Sequence, residues 1–304
     1  MKRNKEIIVV GSTNTDLVSF VKKFPKPGET IFGKMFHIYP GGKGANQAVG
    51  LAKLGKNVVF ISKVGNDDFG KKMLMNLKAN RVNVKNIIID NENPTGIAMI
   101  TVDESGENYI VVISGANMNL SSEDIYKKQN LFSGAKIFLT QLEIPLETID
   151  VCLSLSKINN MMTVLNPAPA KVLPEKILSL VDIITPNESE LGILTNMEIN
   201  SNSIEKAANI LISKGVKNVV VTLGEKGAFL YNGKIAKYFP PYAIKALDTT
   251  AAGDAFNAGL VYALSEGYPL DDAIKFANAT AAVSVTKYGA QTSMPTKEEV
   301  LNLL

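Results

Sequence analysis

A chain of 304 residues has room for one large α/β domain or two modest ones, and an apolar share of 46% is ample for a full core. The net charge of +3 comes without a basic stripe, which argues against a nucleic-acid binder; the one cysteine, Cys152, leaves no intramolecular disulfide and no thiolate metal cluster, as fits a reducing cytoplasm. The one histidine, His37, excludes zinc sites built on two or three histidines and argues against a serine–histidine triad, so chemistry here leans on Asp, Glu, Lys, Asn and backbone groups.

Residues 1–6 are mostly polar and lead into the apolar run Ile7–Val10, too short for a signal-peptide core and readable as a first strand. Further buried-strand runs fall at 58–62, 137–139, 163–165, Ile183–Ile184 and 219–222. Apolar residues at helical spacing run through 45–54, 69–80, 146–156 and 204–214. This alternation predicts an α/β fold: a doubly wound, mostly parallel central sheet flanked by helices, with ligands outside the carboxyl ends of the strands. Segments 17–21 and 31–39, and 95–102 with 109–113 around the turn at 103–106, break the pattern. They read as a small second sheet, with strands drawn from about 14–40 and 95–113, that serves as a lid, a subunit interface or both. Cys152, between Val151 and Leu153, reads as a buried structural thiol rather than a nucleophile. No stretch approaches the ~20 apolar residues of a membrane span. The expectation is one domain over 1–304, soluble and cytoplasmic.

Polar or glycine-rich turns follow several of these strands. Asn14 and Asp16 alternate after the first strand, so in extended chain they share a face and can read two neighbouring hydroxyls; Asx-turn chemistry is the plainer alternative. Gly41, Gly42, Lys43, Gly44, Ala45, Asn46 and Gln47 form a glycine-rich turn before a helix. It is neither a Walker loop nor a G-x-G-x-x-G fingerprint, and it permits a tight connection, a hinge or a close ligand approach. Asn187 and Glu190 have the spacing of a capping box, or could lie near metal-bound phosphate with Glu190 acting through magnesium waters. Thr222, Leu223, Gly224, Glu225, Lys226 and Gly227 leave another strand as a glycine turn, with 228–231 continuing as strand. Asp248, Thr249, Thr250, Ala251, Ala252, Gly253 and Asp254 precede an apolar helical run through Leu264. Such a loop lets backbone N–H groups approach an anion at a helix N-terminus. Asp254 at that point is either a helix N-cap or a base that orients an attacking hydroxyl.

Together these motifs resemble the ribokinase branch of the PfkB carbohydrate kinase family, from about Ile7 to Pro295. GGKGANQAV at 41–49 and GNDDFG at 65–70 are similar to its N-terminal signature region, and DTTAAGDAF at 248–256 to its C-terminal one. PKPGET at 25–30, QLEIP at 141–145, NPAPA at 166–170, TPNESE at 185–190, TLGEKGA at 222–228 and GAQTSMP at 289–295 resemble the ribokinase branch in particular. The resemblance implies ATP-dependent phosphorylation of the 5-hydroxyl of a pentose, D-ribose foremost. Asp254 would be the base, with the N–H groups of Ala251, Ala252 and Gly253 as the anion hole. Asn14, Asp16, Gly42, Lys43, Asn46 and Glu143 would hold the sugar. Asn187, the turn from Thr222 through Leu223, Gly224, Glu225 and Lys226 to Gly227, Gly253 and Asn278 would line the ATP site. Glu190 would organise magnesium. Asp248, Thr250, Ser284, Lys287, Gly289 and Ser293 would hold potassium, largely through backbone oxygens. A homodimer through the lid sheets is implied as well. Gly41 and Gly42 would be the lid hinge, so that Gly42→Val would slow turnover without unfolding the protein. Deoxyribokinase or another sugar or nucleoside kinase of the same family is the alternative, although nothing signals a purine-stacking site. A sugar or nucleotide sensor without catalysis is a further one.

Overall fold

The computed structural model describes residues 7–304; the first six residues, including the polar lead-in to the first strand, lie outside the described residues. Thirteen strands are present among them: β1 Ile7–Val10, β2 Asn14–Phe20, β3 Met35–Gly41, β4 Val58–Gly65, β5 Ile87–Asp90, β6 Gly96–Val102, β7 Asn108–Ile113, β8 Ile137–Thr140, β9 Met162–Leu165, β10 Ile183–Ile184, β11 Asn218–Thr222, β12 Ala228–Tyr231 and β13 Ala236–Phe239. The α-helices are α1 Lys43–Lys53, α2 Asp68–Ala79, α3 Ser122–Tyr126, α4 Leu146–Ile158, α5 Glu175–Leu178, α6 Glu188–Thr195, α7 Ile204–Ser213, α8 Ala252–Ser265, α9 Leu270–Ser284, α10 Ala290–Ser293 and α11 Lys297–Leu301.

Every residue of β1 and β8 is buried, which explains why these strands read as unbroken apolar runs: helices cover both faces of the sheet. The order across this nine-stranded sheet is β13-β12-β11-β10-β9-β8-β1-β4-β5. Pairing is parallel from β5 through β11, and the β11–β12 and β12–β13 pairs are antiparallel. Two cores result. Ile7 and Val9 of β1 pack with α1, α8 and α9 on one face; Ile8 and Val10 pack with α4, α6 and α7 on the other. The chain winds from β1 outward to β4 and β5 and then returns to the other side of β1 at β8. Strand order therefore reverses between β1 and β8, and their carboxyl ends form a topological switch point.

A second, four-stranded sheet has the order β3-β2-β6-β7. Its central pair, β2 with β6, is parallel, and both edge strands run antiparallel to their neighbours. The expected strand at 31–39 begins later and ends later, because pairing of Asn14 with Gly41 and of Phe20 with Met35 sets its register; Lys34 N–H closes the preceding turn on Phe20 O at 2.7 Å. All six residues of β7 are exposed, and Met35, Phe36, Ile38, Met99 and Val111 leave much of this sheet's apolar surface open. Among the described residues no helix is long and apolar enough to cross a membrane.

Candidate active site

The glycine-rich turn brings the start of α1 against the loop that leaves β1. A Cβ on Gly44 would lie 2.6 Å from the carbonyl carbon of Gly11, so only glycine lets the two backbones approach this closely. The approach is secured by polar contacts. Glu143, just past β8, accepts from the Ser12 hydroxyl and, at 3.1 Å, from Lys43 N–H, which ties the ends of β1 and β8 across the switch point. Gly42 sits at φ 89°, and a Cβ there would meet Asn14 N at 2.6 Å and Thr13 Cα at 2.8 Å. This corrects the expectation for Gly42→Val: the substitution forces backbone apart in the site itself, so it cannot isolate a hinge.

Asp254 is the third residue of α8 and is 5% exposed. The N-cap is Ala251, and no side chain caps this helix, so the capping alternative for Asp254 is overturned. Its carboxylate instead faces α1. Oδ2 accepts from Asn46 Nδ2 at 2.9 Å and Oδ1 accepts from Gln47 Nε2 at 2.9 Å. Ala251 itself adopts φ 60°, ψ 18°, a left-handed conformation that costs an alanine about 1–2 kcal/mol relative to glycine. Helix geometry leaves the first N–H groups of α8, which follow that turn, without intrahelical acceptors. Of the three expected donors, Ala252 N–H is engaged with Thr249 O at 3.2 Å.

Asn14 and Asp16 do share a face of β2. Asn117, in the 3-10 turn after β7, donates through Nδ2 to Asn14 Oδ1 at 2.7 Å, which leaves the Asn14 amide to act as a donor. Asp16 packs so closely on Gly41 that a Cβ there would lie 2.3 Å from its carboxylate oxygens. Burial first, then the charges of Glu143 and Asp254, push Asp16 up to about 7, against the pull of Lys43. Burial opposes the charge on Lys43, but Asp254, Glu143, Glu190 and Asp16 surround it and hold it above the usual lysine range. Burial likewise raises Asp254, while Lys43 and the amides of Asn46 and Gln47 favour its ionised form. Cys152 is fully buried and its thiol is pushed up by desolvation, as expected of an inert structural group.

A cleft of about 980 Å³ opens beside this cluster. Its lining includes Asn187, the turn Thr222, Leu223, Gly224, Glu225, Lys226 and Gly227, then Gly253 and Asn278, together with Tyr242, Phe256 and Val285. The expected nucleotide-site residues therefore come together around one volume, and Gly253 joins it to Asp254. Asn187 and Glu190 do form a capping box on α6: Asn187 Oδ1 accepts from Glu190 N–H at 2.8 Å and Glu190 Oε2 from Asn187 N–H at 2.9 Å. Burial raises the Glu190 pKa while the Asn187 N–H and Lys43 lower it. A second, more open cleft lies along α6, between Glu188 and Ile199, and shares Glu188 and Ser189 with the first.

Asp248 joins two loops. Its Oδ1 accepts from Thr250 N–H at 2.8 Å and its Oδ2 from Gly289 N–H at 2.8 Å. The Ser284 and Ser293 hydroxyls are buried and donate to Ala281 O and Ala290 O. The Lys287 side chain pairs with Glu299 at 2.5 Å. Among the described residues no cluster of three or more His, Cys, Asp or Glu side chains could hold a metal ion by itself.

Sequence reasoning assigned no role to a set of buried amides and hydroxyls around Asp254. Gln47, Gln141, Asn166, Thr185 and Asn257 are all buried and bonded to one another or to α8. A signal was available: Gln141, Asn166 and Thr185 each stand one residue past the end of β8, β9 and β10.

The model of the pfkB family of carbohydrate kinases matches residues 4–297. A ribokinase of Haemophilus influenzae is 44% identical over 301 residues, covering 99% of this chain and 98% of the relative. Among solved structures, the ribokinase of Thermotoga maritima superposes with a TM-score of 0.91 at 42% identity, covering 98% of this chain and 99% of that one. The ribokinase of Arabidopsis thaliana, complexed with ribose and ATP, superposes with a TM-score of 0.90 at 33% identity, covering 98% of both chains. The chain belongs to the pfkB family of carbohydrate kinases, in its ribokinase branch.

Proposed function

We propose that this chain is a cytoplasmic kinase that transfers the γ-phosphoryl group of ATP to the 5-hydroxyl of D-ribose. The observation that carries the reading is the position of Asp254. Its buried carboxylate lies in the first turn of α8, next to Gly253 at the nucleotide cleft and in the same charged cluster as Lys43, Glu143 and Asp16. Each of its oxygens accepts one amide N–H, so each keeps a lone pair for a hydroxyl. The Asn46 Oδ1 atom is buried without a protein partner, as suits an acceptor reserved for a sugar hydroxyl.

In this reading Asn14, Asp16, Gly42, Lys43, Asn46 and Glu143 bind the sugar, and Asp254 takes the proton of its 5-hydroxyl as that oxygen attacks. An alcohol is a weak nucleophile, and phosphoryl transfer needs alignment and charge neutralisation more than covalent help. The N–H groups of Ala251, Ala252 and Gly253 receive the charge developing on the transferring group, aided by the dipole of α8. Ala252 must release Thr249 O to take part. Asn187, the turn at 222–227, Gly253 and Asn278 hold the nucleotide. Glu190, acting through water, would help hold a magnesium ion on the phosphates, where it would neutralise their charge; a lone carboxylate fits an ion that retains most of its hydration shell. Asp248, Thr250, Ser284, Lys287, Gly289 and Ser293 would hold a potassium ion. The two-loop bond of Asp248 supports this, since a cation there would tie the anion-hole turn to the segment before α10. The whole chain acts as one domain, with the small sheet as its lid. The open apolar face of that sheet, from Phe36 to Val111, fits a second copy of the chain, making a homodimer.

ADP release measured across ribose, 2-deoxyribose, hexoses and adenosine tests the reading. Release that depends on the acceptor and is fastest with ribose is expected. Preference for 2-deoxyribose would move the assignment to its neighbour in the family, and no acceptor-dependent release would end it.

A further inference from the structure

We propose that Gln47, backed by Gln141, is a positioning residue for Asp254: a one-way chain of buried amide donors that aims the carboxylate and keeps it ionised. The proposal rests on the reading of Asp254 as the base.

Gln47 follows Asn46 on α1 and is fully buried. Its Nε2 donates to Asp254 Oδ1 at 2.9 Å and to Asn166 Oδ1 at 3.1 Å, and its Oε1 accepts from Gln141 Nε2. A carboxylate can only accept, so the amide end of Gln47 must face Asp254, which turns its oxygen to Gln141. Gln141 is fully buried too, and its Oε1 has no partner. The chain thus ends in an orphaned acceptor, a cost that two apolar side chains of similar shape would avoid. Stability alone does not account for the arrangement; keeping the donor end of Gln47 turned to the carboxylate does.

The same group of residues also holds the backbone beside the carboxylate. Asn166 Nδ2 donates to Thr185 O at 3.4 Å, Thr185 Oγ1 donates to Asn257 Oδ1 at 2.7 Å, and Asn257 Nδ2 donates to Gly253 O at 2.8 Å. Side chain and first turn of α8 are therefore fixed from the ends of β8, β9 and β10 together. Asn46 and Gln47 divide the work. Asn46 retains an unpartnered buried oxygen for substrate, whereas every polar atom of the Gln47 amide is taken by protein.

The charged groups around Asp254 are Lys43 from α1 and Glu143 past β8, with Asp16 from β2 and Glu190 from α6 in the same field. Burial and Glu143 favour its neutral form; Lys43, Asn46 and Gln47 favour the charge. Without the Gln47 N–H, Asp254 takes up a proton at higher pH.

The test is the pH profile of kcat at saturating ribose and ATP for the parent, Gln47→Met and Gln141→Met, both of which conserve volume. Saturating sugar keeps Asp16 titration out of the profile. Gln47→Met is expected to move the acid limb up by about 1 pH unit and to lower kcat at neutral pH about tenfold, with KM for ATP unchanged. Gln141→Met, which keeps both Gln47 donors and frees only their orientation, moves the limb the same way by less. A purely structural role lowers the melting temperature without moving the limb. Acid limbs that superimpose on the parent's overturn the proposal, and Gln141→Met decides alone if Gln47→Met does not fold. Asp254→Asn, run in parallel, separates the two failures: near-normal turnover there sinks the base reading instead.

Discussion

Sugar affinity should weaken as pH falls through neutrality, and Asp16 is the reason. Burial, then Glu143 and Asp254, lift its pKa from 3.8 to about 7 despite Lys43. A raised carboxylate pKa means the charge is present above that value and lost below it. Sugar hydroxyls that donate to Asp16 need the ionised form, so protonation competes with binding. One unit below its pKa only about a tenth of Asp16 is ionised. The apparent KM for ribose should therefore rise about tenfold between roughly pH 8 and pH 6. Over the same range kcat at saturating ribose changes less, because bound sugar holds Asp16 ionised. A coupled ADP-release assay at several pH values separates the two constants. Asp16→Asn should bind sugar weakly at every pH, with a flat KM profile. A parent KM that stays constant from pH 8 to pH 6 would refute the reasoning, since it would mean that Asp16 is already charged throughout or does not meet the sugar.

Two further outcomes follow from the geometry. Asp248→Ala removes the acceptor that joins Thr250 N–H to Gly289 N–H, so stimulation of kcat by potassium over a bulky organic cation should largely disappear while KM for ribose holds; retained stimulation would clear Asp248 of the role. Met99→Asp combined with Val111→Asp puts charge on the open apolar face of the small sheet, and light scattering coupled to size exclusion should report a monomer for the variant and a dimer for the parent; a variant that stays dimeric would move the interface elsewhere.

The parts of the fold that were legible in the sequence are those where burial leaves a one-dimensional trace. β1 and β8 are covered on both faces, so their runs of Ile, Val, Phe and Leu stand out without alternation. The switch point between β1 and β8 leaves no such trace, because it depends on where the chain returns after β5. The glycine-rich turn was legible as a close approach, but its partner, the Gly11 backbone, was not. Asp254 shows the same limit. Sequence spacing allowed a helix cap as readily as a base, and only the meeting of α8 with α1 turns its carboxylate toward Asn46 and Gln47. Gln141, Asn166 and Asn257 are distant in sequence and converge only because β8 and β9 end where α8 begins.

The most direct measurement is turnover of Asp254→Asn with ribose, set beside its affinity for ATP. Asparagine keeps the shape and cannot take the hydroxyl proton, so kcat should fall at least ~100-fold while ATP binds as in the parent. Turnover close to the parent's, with nucleotide binding intact, would contradict the account.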